Sequence, residues 1–137
     1  MRPAVAAALV GSTMLIAAWA PAIAHDGDHL CGTPSMAPSA KLQQLQAARV
    51  PETFRDSQYV AFRGADEITW TFTQPAHPAH PAVVCRRIVG PEGQLELETN
   101  ADCRASRAAC DAMMADFAKL NAAMIEAMKM ETKKPRK

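Results

Sequence analysis

Two pairs of short segments that alternate apolar and polar residues constrain the fold most strongly. Residues 58–63 and 67–73 form the first pair, and residues 82–89 and 94–99 form the second. Alternation with a period of two is typical of strands that are buried on one face, and short connections that contain glycine are typical of hairpins. The sequence therefore predicts a four-stranded antiparallel meander.

The chain changes to a helical period towards its end. Residues 102–130 are predicted to form one long helix that Asp102 caps and that packs against the sheet. Its apolar stripe consists of Cys103, Cys110, Met113, Phe117, Leu120, Met124 and Met128. A short helix is expected over residues 39–49, because Leu42, Leu45 and Ala48 fall on one side of it. Pro51 forces its end. The expected fold class is α+β, with one small domain over residues 39–130.

The loop lengths predict the register of both hairpins. In the first hairpin Phe62 lies opposite Ile68, which places the apolar side chains of both strands on one face. In the second hairpin Arg86 pairs with Glu98 on the outer face. Arg87 falls on the inner face, so it either sits at the sheet edge with its charged head in water or belongs to a site.

Residues 1–24 have the pattern of a secretory signal peptide. One basic residue precedes an apolar run, and Ala22 and Ala24 form the small-x-small cleavage site. Cleavage there would make His25 the first residue of the mature chain. An uncleaved membrane anchor is the alternative, although the run over residues 4–20 is at or below the length that spans a bilayer. No membrane span is expected in the mature chain, which is predicted to be periplasmic or secreted.

The four cysteines, Cys31, Cys85, Cys103 and Cys110, all follow this leader. An even number of cysteines in an oxidising compartment predicts two disulfides. If Cys103 and Cys110 are both helical, their Cα atoms lie about 10 Å apart, beyond the limit of about 7 Å for a disulfide. The favoured pairs are therefore Cys85 with Cys103 and Cys31 with Cys110, and a bond between Cys85 and Cys110 is the alternative.

Histidines supply the candidate metal ligands. His25 and His29 lie in a segment, residues 25–38, that is expected to be an extended arm. A leading histidine offers an α-amine and an imidazole to one copper ion, and this position resembles the histidine brace of some copper proteins. His29, His77 or His80 would then be the second histidine. The structural alternative is a terminus whose histidine binds nothing.

The loop that contains His77 and His80 has the sequence PAHPAHP. Proline at every third position favours polyproline II, which puts both histidines on one face with Cα atoms about 9 Å apart. The loop is then a stiff connector, a docking surface for a partner, or a contributor of metal ligands. The connector is the favoured interpretation.

Two features near the C-terminus also have alternatives. The methionines of the long helix fill the core or hold Cu(I), and core filling is favoured. The basic tail, residues 131–137, is a solvated helix end or touches anionic lipid or an envelope polymer. The solvated end is favoured.

Charge and motifs limit the function classes. The chain has 15 Lys and Arg against 14 Asp and Glu, and a net charge of +1 gives no field to hold nucleic acid. The sequence has no nucleophile elbow, no zinc-protease motif and no phosphate-binding glycine loop. Catalysis is therefore not favoured.

The sequence favours an exported, disulfide-bonded binding protein of the cell envelope, with an unknown envelope protein or polymer as its partner and without a cofactor. Partner contacts are predicted at His77 and His80 of the loop and at Arg86 and Arg87. The open outer face of the sheet is a further contact surface and carries Thr69, Thr71, Thr73, Arg86 and Glu98. The alternative function is copper handling in the periplasm by His25 with a second histidine.

Overall fold

A computed structural model of the chain describes residues 29–134. These residues form two helices and two antiparallel sheets, which confirms the α+β fold class. The predicted leader, His25 and residues 135–137 of the predicted tail lie outside the described residues. In chain order the elements are β1 (His29–Leu30), β2 (Thr33–Pro34), α1 (Pro38–Ala47), β3 (Glu52–Arg55), β4 (Tyr59–Arg63), β5 (Thr69–Thr73), β6 (Ala82–Val89), β7 (Glu96–Cys103) and α2 (Arg107–Thr132).

The larger sheet is a five-stranded meander with the order β3-β4-β5-β6-β7. Strands β4 to β7 correspond to the four predicted strands, and β3 is an additional strand at the edge. The sequence does not indicate β3, because its four residues are all exposed and carry no pattern of burial. Strands β1 and β2 form a separate short hairpin inside the segment that was expected to be an extended arm.

The register of the first hairpin of the meander is shifted by two residues from the predicted one. Phe62 lies opposite Trp70 instead of Ile68, because the connection runs over residues 64–68. A shift of two residues keeps every side chain on its original face. The apolar side chains of β4 and β5 therefore share one face, as predicted.

The register of the second hairpin is shifted by one residue. Arg86 lies opposite Thr99 and Arg87 lies opposite Glu98, whereas the prediction paired Arg86 with Glu98. The cause is the connection, which comprises residues 90–95 instead of a four-residue turn. Arg87 forms an ion pair with Glu98 in which both side chains are partly exposed.

Helix α2 begins later than predicted. Asp102 and Cys103 continue strand β7, so Asp102 is not the helix cap. Ser106 has that role, because its Oγ accepts a hydrogen bond from the backbone N–H of Ala109 at 3.2 Å. Neither helix within residues 29–134 is long and apolar enough to cross a membrane.

One face of the larger sheet packs against α1 and the β1–β2 hairpin. The Nζ atom of Lys41 in α1 lies 3.9 Å from the ring centroid of Trp70, which closes this core on one side. The buried residues of the core are Leu30, Cys31, Leu45, Val60, Phe62, Ile68, Trp70, Phe72, Val83 and Cys85. The most apolar face of the sheet is therefore covered without α2.

The first half of α2 packs on the opposite face of the sheet. The buried residues of this second core are Ala79, Ala82, Val84, Met113 and Phe117. Thr71 and Thr73 are buried on the same side, each with 6% of its surface exposed. The prediction of an open outer face at Thr71 and Thr73 is therefore wrong, because α1 and the arm occupy the apolar face and leave this one to α2.

The disulfides join Cys31 to Cys85 and Cys103 to Cys110, with Cα–Cα distances of 6.1 and 6.0 Å. The favoured prediction paired Cys85 with Cys103 and Cys31 with Cys110, and both pairs are wrong, as is the alternative of Cys85 with Cys110. Cys103 belongs to a strand and not to the helix, so the chain turns between it and Cys110 and brings them together. Cys31 and Cys85 lie in the core on the α1 face.

Candidate functional site

A groove with a volume of about 460 Å³ lies between α2 and the face of β3, β4 and β5. Helix α2 is held near the opposite edge of the sheet, which is β7. There Asn121 Nδ2 donates a hydrogen bond to Thr99 Oγ1 at 2.7 Å. The side chains of Ala61 on β4 and Thr69 on β5 are small. They do not fill the space between these strands and α2, and the groove stays open.

Apolar and polar residues contribute to the lining in equal number. The apolar and aromatic residues are Phe54, Tyr59, Ala61, Phe117, Leu120 and Met124. The polar residues are Thr53, Asp56, Thr69, Thr71, Arg86 and Asp116. Three of the large apolar side chains are substantially exposed, with exposed fractions of 52% for Phe54, 46% for Leu120 and 39% for Met124. Exposed apolar side chains gathered around one groove are typical of a ligand site.

Arg86 is partly buried at the base of this groove. Its Nη1 atom lies 3.4 Å from Asn121 Oδ1 and 3.5 Å from Met124 Sδ, and its Cζ lies 5.2 Å from the centroid of the Phe117 ring. Its Nε atom is buried and has no hydrogen-bond partner. Burial lowers the pKa of Arg86, yet an arginine remains charged at neutral pH. Within residues 29–134 this cation forms no ion pair with a carboxylate.

Thr71 contributes a second unpartnered polar group. Its hydroxyl Oγ1 is buried and makes no hydrogen bond. Thr71 lies on β5 opposite Val84, and Thr69 on the same strand lies opposite Arg86. Thr71 and Arg86 therefore point to the same side of the sheet and are diagonal neighbours.

The two carboxylates of the groove already have partners. Asp56 Oδ1 accepts hydrogen bonds from the backbone N–H groups of Gln58 and Tyr59, both at 2.7 Å. Asp116 lies 3.8 Å from Lys119 Nζ in the next turn of α2. Asp56 therefore stabilises the turn between β3 and β4, and Asp116 is partly neutralised at the exposed surface of the helix.

His77 supports one wall of the groove through Tyr59. The Tyr59 hydroxyl lies 2.6 Å from His77 Nε2, and the backbone N–H of Ala79 donates to His77 Nδ1 at 2.9 Å. Because Nδ1 accepts a hydrogen bond, the proton of the neutral ring is on Nε2 and is donated to the Tyr59 oxygen. Burial is the main cause that lowers the pKa of His77, and the charge of Asp116 opposes it. Burial also raises the pKa of Tyr59.

His80 is exposed on the same loop and is held by the strand beside it. Its Nδ1 atom lies 2.9 Å from the carbonyl oxygen of Thr73, so Nδ1 carries the proton of the neutral ring. The predicted polyproline II conformation is wrong, because the backbone N–H of His77 donates to the carbonyl of Gln74 and that of His80 to the carbonyl of His77, which makes two consecutive turns. The segment connects β5 to β6 and is fixed by hydrogen bonds of both histidine rings. A docking role for this segment stays a prediction.

The other predicted ligands do not join this loop. His29 lies in the β1–β2 hairpin, which packs on the α1 face of the sheet, whereas His77 contacts Tyr59 on the α2 face. Among residues 29–134 there is no group of three or more histidine, cysteine, aspartate or glutamate side chains placed to hold a metal ion. The copper hypothesis, which depends on His25, stays a prediction.

The predicted contact residues are divided between the two faces. Arg86 lines the groove, whereas Arg87, its neighbour on β6, points to the opposite face and pairs with Glu98. The sequence does not indicate Phe54 as part of a site, and it places Thr69 and Thr71 on an open contact face instead of in a groove. The available signal was α2 itself, because Leu120 and Met124 extend its apolar stripe beyond the residues that the sheet buries.

Comparisons with known proteins return no match for this chain. No family model matches it, and neither a curated protein nor a solved structure matches significantly.

Proposed function

We infer that the protein is a binding protein of the cell envelope, periplasmic or secreted, and that the groove between α2 and the sheet is its ligand site. The observation that carries this proposal is the combination of an open apolar groove with two unpartnered polar groups at its base, Arg86 Nε and Thr71 Oγ1. Ligand sites for small molecules are mostly apolar, have volumes of about 300–1,000 Å³ and contain a few convergent polar groups.

The disulfides support the location of this function. All four cysteines are paired, and disulfides of this kind persist in oxidising compartments such as the periplasm or the extracellular space. A signal peptide over residues 1–24 would deliver the chain there. The predicted leader and the two disulfides therefore both support a location outside the cytoplasm.

The architecture also favours a preformed site. The base of the groove is formed by β3, β4 and β5 of a five-stranded sheet, and its roof is a helix whose first turn is cross-linked to the end of β7. Both parts are anchored elsewhere, by the α1 core and by the Met113 and Phe117 core. A rigid concave surface loses little conformational entropy when it binds a ligand.

An uncharged apolar dye such as Nile red tests whether the groove binds ligands at all. We expect saturable enhancement of its fluorescence by the wild-type protein. In Leu120→Glu, a carboxylate at the groove should weaken dye binding by about 10-fold or more, because burying a charge against an apolar ligand is costly.

Met130→Glu is the matched control, because Met130 lies on the same helix with 74% of its surface exposed and does not line the groove. This variant should bind the dye like the wild type, and thermal unfolding should show that both variants are folded. Absence of saturable binding by the wild type, or equal weakening in both variants, would contradict the proposal.

A further inference from the structure

We propose that the ligand is an apolar chain that ends in a carboxylate, and that Arg86 and Thr71 receive this headgroup at the base of the groove. This inference rests on the proposed function, because it names the ligand class of the same site. It depends on three independent features, which are an unpaired cation, an unpartnered hydroxyl beside it and an apolar path that leads away from both.

The cation is Arg86. The acceptors of its Nη1 atom are an amide oxygen at 3.4 Å, which is long for a hydrogen bond, and a thioether sulfur at 3.5 Å, which is a weak acceptor. A carboxylate offers two oxygens that match the planar fork of a guanidinium, and charge-assisted hydrogen bonds of this type are about twice as strong as neutral ones. An anionic ligand would therefore give Arg86 the ion-pair partner that its neighbours in residues 29–134 do not provide.

The hydroxyl is that of Thr71. Only 6% of this residue is exposed, and its Oγ1 atom has no partner although it can both donate and accept. A carboxylate oxygen bound to Arg86 would be a suitable acceptor for it. Buried polar groups of folded proteins are nearly always paired, and these two groups on neighbouring strands are placed so that one headgroup could bind both.

Met124 lies beside Arg86 in the lining of the groove. Its sulfur contacts Arg86 Nη1, and 39% of the residue is exposed at the groove. An unbranched methionine side chain adapts easily to a new neighbour, so it can move aside when a headgroup enters. Phe117, Leu120 and Phe54 then provide the apolar surface for the rest of the chain.

Among anionic headgroups, the charges of the groove favour one with a single negative charge. Arg86 is the only lysine or arginine among the lining residues, and Asp56 and Asp116 lie in the same lining. A dianionic headgroup would meet these two carboxylates with only one cation to offset them. A monoanionic carboxylate is therefore the better match.

Displacement of Nile red by decanoate, decanol and decylamine tests the headgroup with the tail held constant. For the wild type we expect decanoate to displace the dye at a concentration about 10-fold lower than decanol does. Decylamine should be no better than decanol. In Arg86→Met the preference for decanoate over decanol should disappear, whereas Arg87→Met, which changes the neighbouring arginine on the opposite face, should keep it.

Thr71→Val provides a second test that does not remove a charge. This variant should stay folded, because it replaces an unpartnered hydroxyl by a methyl group of similar shape. The preference for decanoate over decanol should fall about 3-fold. If a lower Tm shows that Arg86→Met is destabilised, Thr71→Val still tests the proposal.

The possible outcomes separate the two proposals. If all three decyl compounds displace the dye equally well from the wild type, or if none of them does, the groove remains a ligand site and the carboxylate inference is wrong. The same conclusion follows if Arg86→Met retains the preference. If the wild type fails to bind Nile red saturably, the proposed function itself fails.

Discussion

Cys103, the last residue of β7, is bonded to Cys110 in the first turn of α2. The bond spans the corner at which the chain passes from the sheet into the helix, and Ser106 caps the helix inside that corner. The start of α2 is fixed at the β7 edge, and the helix packs most closely on β6 and β7, so that a groove remains between it and β3, β4 and β5. The position of the groove follows from this cross-link.

The pairing of the cysteines can be tested by peptide mapping. Trypsin cleaves after Arg86, Arg87, Arg104 and Arg107, so each cysteine falls on a different tryptic peptide. Without reduction we expect the Cys31 peptide to be linked to the Cys85 peptide, and the peptide of residues 88–104 to be linked to that of residues 108–119. A peptide that links Cys85 to Cys103 would contradict the fold described above.

The two disulfides should contribute unequally to stability. The Cys31–Cys85 bond closes a segment with a sequence separation of 54 residues, and the Cys103–Cys110 bond one of 7. Chain entropy predicts that replacing the first pair by alanine lowers the free energy of unfolding by about 4 kcal/mol and the second pair by about 2.5 kcal/mol. Urea unfolding of the two double variants measures both values. A larger loss for the second pair would show that bond strain or residual structure, rather than loop length, dominates.

The sequence specified the strands of the meander better than their pairing. The alternation in β4 and β5 survives a two-residue error in register, because a shift of two keeps each side chain on its face. The true registers depend on the turns, where Glu67, Gly90 and Gly93 have positive φ angles. Glycine adopts such angles readily, but a glutamate in that region is not signalled by residue type.

The face that α2 covers could not be predicted from its own pattern. The sheet has an apolar core on each side, and the position of the arm decides which side α2 takes. That position depends on the bond between Cys31 and Cys85, which are far apart in sequence. The groove follows from the same geometry, so the sequence predicts Thr69, Thr71 and Arg86 as contact residues but does not predict the cavity that they line.

His77 should make stability depend on pH. Its pKa in the folded protein is lowered, mainly by burial, from an unfolded value of about 6.5. Below about pH 6.5 the unfolded chain therefore binds more protons than the folded one, and the free energy of unfolding should fall as the pH decreases through this window. Protonation of Nδ1 would also remove the acceptor for the Ala79 N–H.

Urea unfolding at pH 8 and pH 5 measures this effect in the wild type, in His77→Gln and in His80→Gln, whose altered residue is the exposed histidine of the same loop. The loss of stability between the two pH values should be smaller in His77→Gln than in the wild type and in His80→Gln. An equal loss in all three proteins would show that His77 is not the titrating group.

The most direct test of the ligand site is two-dimensional ¹H–¹⁵N NMR of the isotope-labelled protein, titrated with whichever decyl compound displaces Nile red best. We expect the largest shift changes at the amides of Ala61, Thr71 and Leu120 around the groove. The amides of Leu30 and Leu45, which belong to the α1 core, should change little. Changes concentrated at the α1 face, or no saturable changes at the groove amides, would contradict the account.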